Sequence, residues 1–133
     1  MHARLILLLG LLFGVAGCVS SAARQDDLTA TVRGYENVVR WGRIPAAYDF
    51  LKPDLAAEAE LPAGLDGIKV TGYDRLTGLI PTDEEKQRYR VTAAIRYVHV
   101  DRQVERTLTD QQVWEWDEES ERWWRANPIP AFP

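Results

Sequence analysis

The chain has 133 residues, 46% of them hydrophobic, with two histidines, one cysteine and a formal charge of −4. That length fits one domain and leaves no room for two independent cores. A single cysteine excludes an internal disulfide and a multi-cysteine metal site, and the acidic balance argues against the basic face of a nucleic-acid binder.

At the N-terminus Arg4 supplies a positive charge, and the apolar stretch LILLLGLLFGVAG follows directly, before Cys18. This 13-residue run is short for a helix spanning a hydrocarbon core of about 30 Å. A charged start, an apolar middle and small residues before a cleavage point make a secretory signal. The quartet Val15-Ala16-Gly17-Cys18 resembles the bacterial lipobox, in which an aliphatic residue and two small ones precede the cysteine that is lipid-modified. The resemblance implies cleavage before Cys18 and acylation of its sulfur and α-amine, hence a membrane partner held through lipid. The alternative is an ordinary secretory signal with an incidental cysteine. Val19 in place of aspartate after the cysteine implies, by the sorting pattern of such lipoproteins, an outer-membrane protein facing the periplasm. Loss of residues 1–17 leaves 116 residues with 15 basic and 20 acidic side chains, a charge of −5.

Residues 18–27 are expected to be the lipidated cysteine and a tether, since VSSAAR is small and polar without periodicity. From Val19 to Asp27 its reach is at most roughly 30 Å. A single domain is expected over residues 28–133. Asp26 and Asp27 are N-cap candidates for a helix whose face carries Leu28, Val32, Tyr35 and Val39, with Val38 and Trp41 beside it and Gly42 as its stop. Pro45 opens a second short helix to Leu51, and Asp54 caps a third over residues 55–61.

The period then changes to two. Ile68, Val70 and Gly72 alternate with Lys69, Thr71 and Tyr73; Tyr89, Val91, Ala93, Ile95 and Tyr97 alternate with polar or small residues. A hairpin turn is expected at residues 100–103 and a third strand over 104–116. There Val104, Leu108, Trp114 and Trp116 share a parity that Val113 breaks, so a bulge is expected near Asp110 to Gln112. An acidic turn at 117–121 leads to a last strand at 122–126, and the tail Asn127-Pro128-Ile129-Pro130 cannot pair as a central strand. Helices followed by about four antiparallel strands predict an α+β fold with the helices on one face of a curved sheet.

The helical start ending in AAYDFLKP, and the end in which VWEWD, an acidic turn and RWWR follow one another, resemble the NTF2-like (cystatin-like cone) superfamily over about residues 27–127. The resemblance implies a cone between helices and sheet that takes a small apolar ligand, and a homodimer through the open sheet face. It also brings the superfamily's isomerases and dehydratases into view, with His99 as a base and Tyr35 beside it as the low-ranking candidates. No position matches their catalytic motifs, so no catalytic residue is assigned. Tyr48 and Tyr35 are expected in the core and Asp49 in solvent.

Trp114, Trp116, Trp123 and Trp124 are candidates for a ligand or partner surface, although for Trp114 and Trp116 the favoured reading is that the rings pack the sheet against Tyr35, Val39 and Trp41. Trp123 and Trp124 are adjacent and must face opposite ways, so one of them is expected outside. The acidic runs at 83–85 and 117–121 lack the spacing of a calcium loop and are expected to be solvated turns. The arginines at 88, 90, 96, 102 and 106 form a charged face. No P-loop, Rossmann fingerprint or nucleophile elbow is present, and neither metal nor cofactor is expected. The functional expectation is a lipoprotein of the cell envelope whose domain binds an envelope protein or a small apolar ligand. A cavity enzyme using His99, or a structural envelope component, is the alternative.

Overall fold

Alanines at 22 and 23, followed by Arg24 and Gln25, are good helix formers, and no glycine or proline interrupts them. The first helix, α1, accordingly runs unbroken over His2–Trp41 and does not start at Asp26 or Asp27. The computed structural model describes the backbone of residues 2–133 and the side chains from residue 20 onward. Cys18 therefore lies outside the residues whose side chains are described. The chain divides into two compact units, Met1–Val32 and Arg33–Pro133. In the first, the segment expected as a tether is helical at residues 20–27, and a helical stretch of that length rises only about 1.5 Å per residue. Thr29 and Thr31 donate their hydroxyls to the carbonyls of Gln25 and Asp27, one turn back. Among the described residues, no helix is long and apolar enough to cross a membrane.

The second unit begins with the last turns of α1, where Tyr35 and Val39 are buried one turn apart. Gly42 donates its N–H to the Val38 carbonyl at 2.9 Å and ends the helix as expected. Pro45 stands in the first turn of a 3-10 helix over Ile44–Phe50, a position that needs no backbone donor. Pro53 opens α2, Pro53–Glu58, which is shorter than the stretch expected to residue 61. Gly64, at φ 83°, then turns the chain in a conformation that suits glycine.

Five strands follow: β1 Ile68–Arg75, β2 Ile80–Pro81, β3 Arg88–His99, β4 Glu105–Asp117 and β5 Arg122–Arg125. They form one antiparallel sheet in the order β1-β3-β4-β5, with β2 paired to the start of β3. The sheet curls into a half-barrel, and the end of α1 packs on its concave face through Tyr35, whose ring meets Trp114 edge-on at 5.5 Å. The α+β layout expected from the sequence is thus present.

Two details of register differ from expectation. The β3–β4 ladder runs without a shift from Arg88–Glu115 to Val98–Glu105, so the bulge expected at 110–112 is absent. The polar residues Asp110 and Gln112 keep the inward parity of Trp114, and Val113 takes the outward one. The bulge lies instead in β1, between Val70 and Gly72. It inverts the parity, so that Tyr73 opposite Ile95 faces inward and Gly72 opposite Arg96 faces outward. The Arg96 guanidinium lies across Gly72, so a Cβ there would push that exposed, flexible side-chain end aside. That guanidinium reaches on to Asp74 at 3.3 Å.

Candidate functional site

The centre of the concave face is polar. Arg125 on β5 and Asp110 on β4 are each 1% exposed and form a two-pronged ion pair, with Nη2 2.6 Å from Oδ1 and Nη1 3.0 Å from Oδ2. Nη1 also donates to the Tyr35 hydroxyl at 2.7 Å, and that hydroxyl donates to Asp110 Oδ2 at 3.1 Å. Nε donates to the Asn127 carbonyl and Nη2 to the Pro128 carbonyl, at 3.1 and 2.9 Å. All five guanidinium N–H donors are therefore engaged. Gln112 extends the network: its Nε2 donates to Asp110 and to the Tyr73 hydroxyl, and its Oε1 accepts from Trp114 Nε1 at 3.0 Å. Every group that would be costly to leave dry has a partner, and the pair's charges cancel.

This environment sets the ionisation of its members. Burial opposes the charge on Arg125, but the hydrogen bonds to Asp110 and the Asp110 charge outweigh it and raise its pKa. Burial pushes the Tyr35 hydroxyl well above the usual tyrosine range, against the pull of Arg125 and with Asp110 adding to the rise. Tyr73 is pushed up to about 12 by burial, opposed by its hydrogen bond from Gln112. Both tyrosines titrate near pH ~10 in an unfolded chain. A raised folded value means that the fold prefers the neutral phenol, so this stability is complete below about pH 10 and is lost as the pH rises toward 12 and beyond. The urea midpoint is expected to fall between pH 9 and 11.5, with Tyr73 contributing on the order of 2 kcal/mol, and Tyr73→Phe should flatten the fall. An unchanged midpoint across that range would show the hydroxyls to be solvated.

The structure separates the residues singled out from sequence. Trp114 and Trp123 are buried and pack the core. Trp114 meets Tyr35 and Phe50 edge-on, and Trp123 meets Tyr89 at 5.7 Å and Trp116 at 5.5 Å. Their inward parity, with the large apolar area of each ring, accounts for this. Trp116 is half-buried beside Trp123. Trp124 is the outward member of its pair, with Arg122 3.8 Å over its ring and its Nε1 donating to Ser120. Trp41 does not join the core: it is 75% exposed at the end of α1, under the Arg40 guanidinium. His99 ends β3 half-buried, its Nε2 3.2 Å from the Pro133 carbonyl. It pairs with Ile68, whereas Asp110 lies opposite Ala93, six residues along β3 or about 20 Å away. His99 and Tyr35 are therefore not brought together. Among the described residues, no group of three or more His, Cys, Asp or Glu side chains assembles to hold a metal.

The concavity expected to hold a ligand is occupied at its centre by these side chains, and an apolar groove of about 370 Å³ opens elsewhere. Leu51 and Leu55, after the 3-10 helix and within α2, form one wall with Tyr48; Pro128 to Ala131 of the tail form the other. Tyr48 is thus at a groove wall and not in the core, and partial burial raises its hydroxyl pKa. Asp49 is exposed, as expected. Arg125 sets the groove's width: its guanidinium grips the carbonyls of Asn127 and Pro128, while its backbone carbonyl accepts the Lys52 N–H at 3.0 Å. The Asn127 side chain further ties the tail to β4 by accepting from Val113 N and donating to the Gln111 carbonyl.

Neither Arg125 nor the groove was foreseen. The first has as its trace only that Asp110, Gln112, Trp114 and Trp116 share one parity, which turns the two polar residues inward if the strand is unbroken. The groove has only the uncharged tail ANPIPAFP as its trace. No family model matches the chain, no curated protein is detectably similar to it, and no solved structure matches its fold.

Proposed function

We propose that the chain is a bacterial envelope lipoprotein, anchored through acylated Cys18 on the periplasmic side of the outer membrane, whose domain binds and does not catalyse. The observation that carries the anchor is the quartet Val15-Ala16-Gly17-Cys18, which holds the sole cysteine after a charged and apolar start. Several acyl chains, at about 0.8 kcal/mol per buried CH₂, hold a protein stably on a bilayer. We further assign the domain to the NTF2-like, cystatin-like class, because helices precede a curled antiparallel sheet that encloses the end of α1. Its concave face is filled by an ion pair and aromatic rings.

Support for binding comes from the use of the polar groups. The buried acid, the buried tyrosine and the guanidinium are spent on one another, and His99 stands about 20 Å from Asp110. An apolar groove, by contrast, is open. The occupant is an envelope protein or a small apolar ligand, and a homodimer through the outer sheet face is compatible with either.

The anchor is tested by labelling growing cells with radioactive palmitate and fractionating them. The parent chain should carry label and sediment with outer membranes; Cys18→Ser should lose the label and appear in the soluble fraction. Retention of label or of membrane partition by Cys18→Ser would overturn the anchor. Val19→Asp should shift the parent's sedimentation toward the inner membrane.

A further inference from the structure

We propose that the groove between α2 and the tail binds a linear alkyl chain bearing a protonated amine. The inference deepens the binding half of the proposed function and is independent of the Cys18 anchor. Its volume, about 370 Å³, is that of a small-ligand site. Leu51 and Leu55 on one wall and Ile129 on the other supply apolar surface. Pro62, Pro128 and Pro130 line the groove too, and none of them has an N–H to offer. The Pro128 carbonyl is already engaged by Arg125. A peptide laid in the groove would find few backbone partners, so its own N–H and C=O groups would lose water without replacement. A hydrocarbon chain has no such groups.

Charge selects the head group. Glu58 and Glu60 line the groove, both exposed, and neither has an ion-pair partner among the described residues. From Pro53 to Gly67 there is no lysine or arginine, and residues 126–133 carry no charged side chain. An anionic head would meet only like charge there, whereas an ammonium group meets two carboxylates. The groove is also preformed. Besides the grip of Arg125, the tail is held by the Tyr97 hydroxyl, which donates to the Pro133 carbonyl at 2.7 Å, and by Phe132 edge-on to Tyr97 at 5.1 Å. Little ordering is left to oppose binding.

The test uses the full chain in its membranes and a decylammonium probe carrying an aliphatic diazirine, with the labelled peptides read by mass spectrometry. Label is expected within residues 48–62 and 128–132. Decylammonium, below its micelle concentration, should compete about tenfold better than decyl sulfate, and each methylene removed should weaken it about fourfold until the groove is underfilled. Glu58→Gln with Glu60→Gln should narrow the difference between ammonium and sulfate while leaving the chain-length dependence. Ala59→Trp, at the exposed residue that follows α2, should block labelling with an unchanged circular dichroism spectrum. Equal competition by the sulfate, labelling untouched by Ala59→Trp, or stronger competition by a Leu-Lys-Leu peptide amide would each overturn the proposal. The same labelling in the Cys18→Ser chain keeps the two failures apart: loss of the anchor moves the protein between fractions, and loss of the groove site abolishes the label in both.

Discussion

Arg125→Met is expected to destabilise the fold by about 3–5 kcal/mol. The methionine fills a similar volume but leaves the Asp110 carboxylate buried with donors only from Tyr35 and Gln112. It also releases the carbonyls of Asn127 and Pro128, so the tail loosens and the groove loses its fixed width. Domains of this size are stable by only about 5–15 kcal/mol, so much of the variant should unfold on modest warming. Pairing it with Asp110→Leu should recover most of the loss, because removing both charges removes the desolvation cost along with the attraction. Arg125→Lys should not rescue: three donors on one point cannot reproduce five in a planar fork. Urea unfolding at pH 7 measures all three. A loss of under about 1 kcal/mol for Arg125→Met would mean that water reaches the pair.

Trp114→Ala should cost a comparable amount, about 3–5 kcal/mol. The ring is fully buried, touches Tyr35 and Phe50 edge-on, and gives its N–H to Gln112 Oε1. Its removal opens a cavity at the contact between α1 and the sheet and leaves a buried amide oxygen without its donor. Trp114→Phe keeps much of the packing but not the N–H, so a loss of about 1–2 kcal/mol is expected. Near-ultraviolet circular dichroism should collapse for the alanine variant and survive for phenylalanine. If the two variants lose equal stability, the ring's volume is not what holds helix to sheet.

The two effects meet at one place. Trp114 and Arg125 are opposed across the β4–β5 ladder, so each variant disturbs the register partner of the other. Their losses should therefore not add, and the double variant measures the coupling.

Period-two alternation made β3 legible over its whole length, because every second residue from Tyr89 to Tyr97 had to be apolar to face the core. The turns were legible for a similar reason: Gly42, Pro45 and the acidic stretch 117–121 each restrict or solvate the backbone locally. The continuity of α1 was not, since two aspartates after a polar stretch look like a cap whether or not the preceding residues are helical. Nothing in β4 alone distinguishes a bulge at Asp110–Gln112 from an unbroken strand with two buried polar residues. The distinction depends on Arg125, fifteen residues later, arriving on the same inner face with five donors to satisfy them.

What the sequence by itself determined is local: strand parity, turn positions, the α+β order, and the charged, apolar and small residues that end at Cys18. Each follows from neighbours within a few positions along the chain. Only the tertiary structure decided that the centre of the half-barrel is an ion pair and that Trp114 and Trp123 are core. It alone located the open apolar surface between α2 and the tail. Those features depend on groups 15 to 90 residues apart desolvating one another, and the cost or gain of desolvation exists only once they meet.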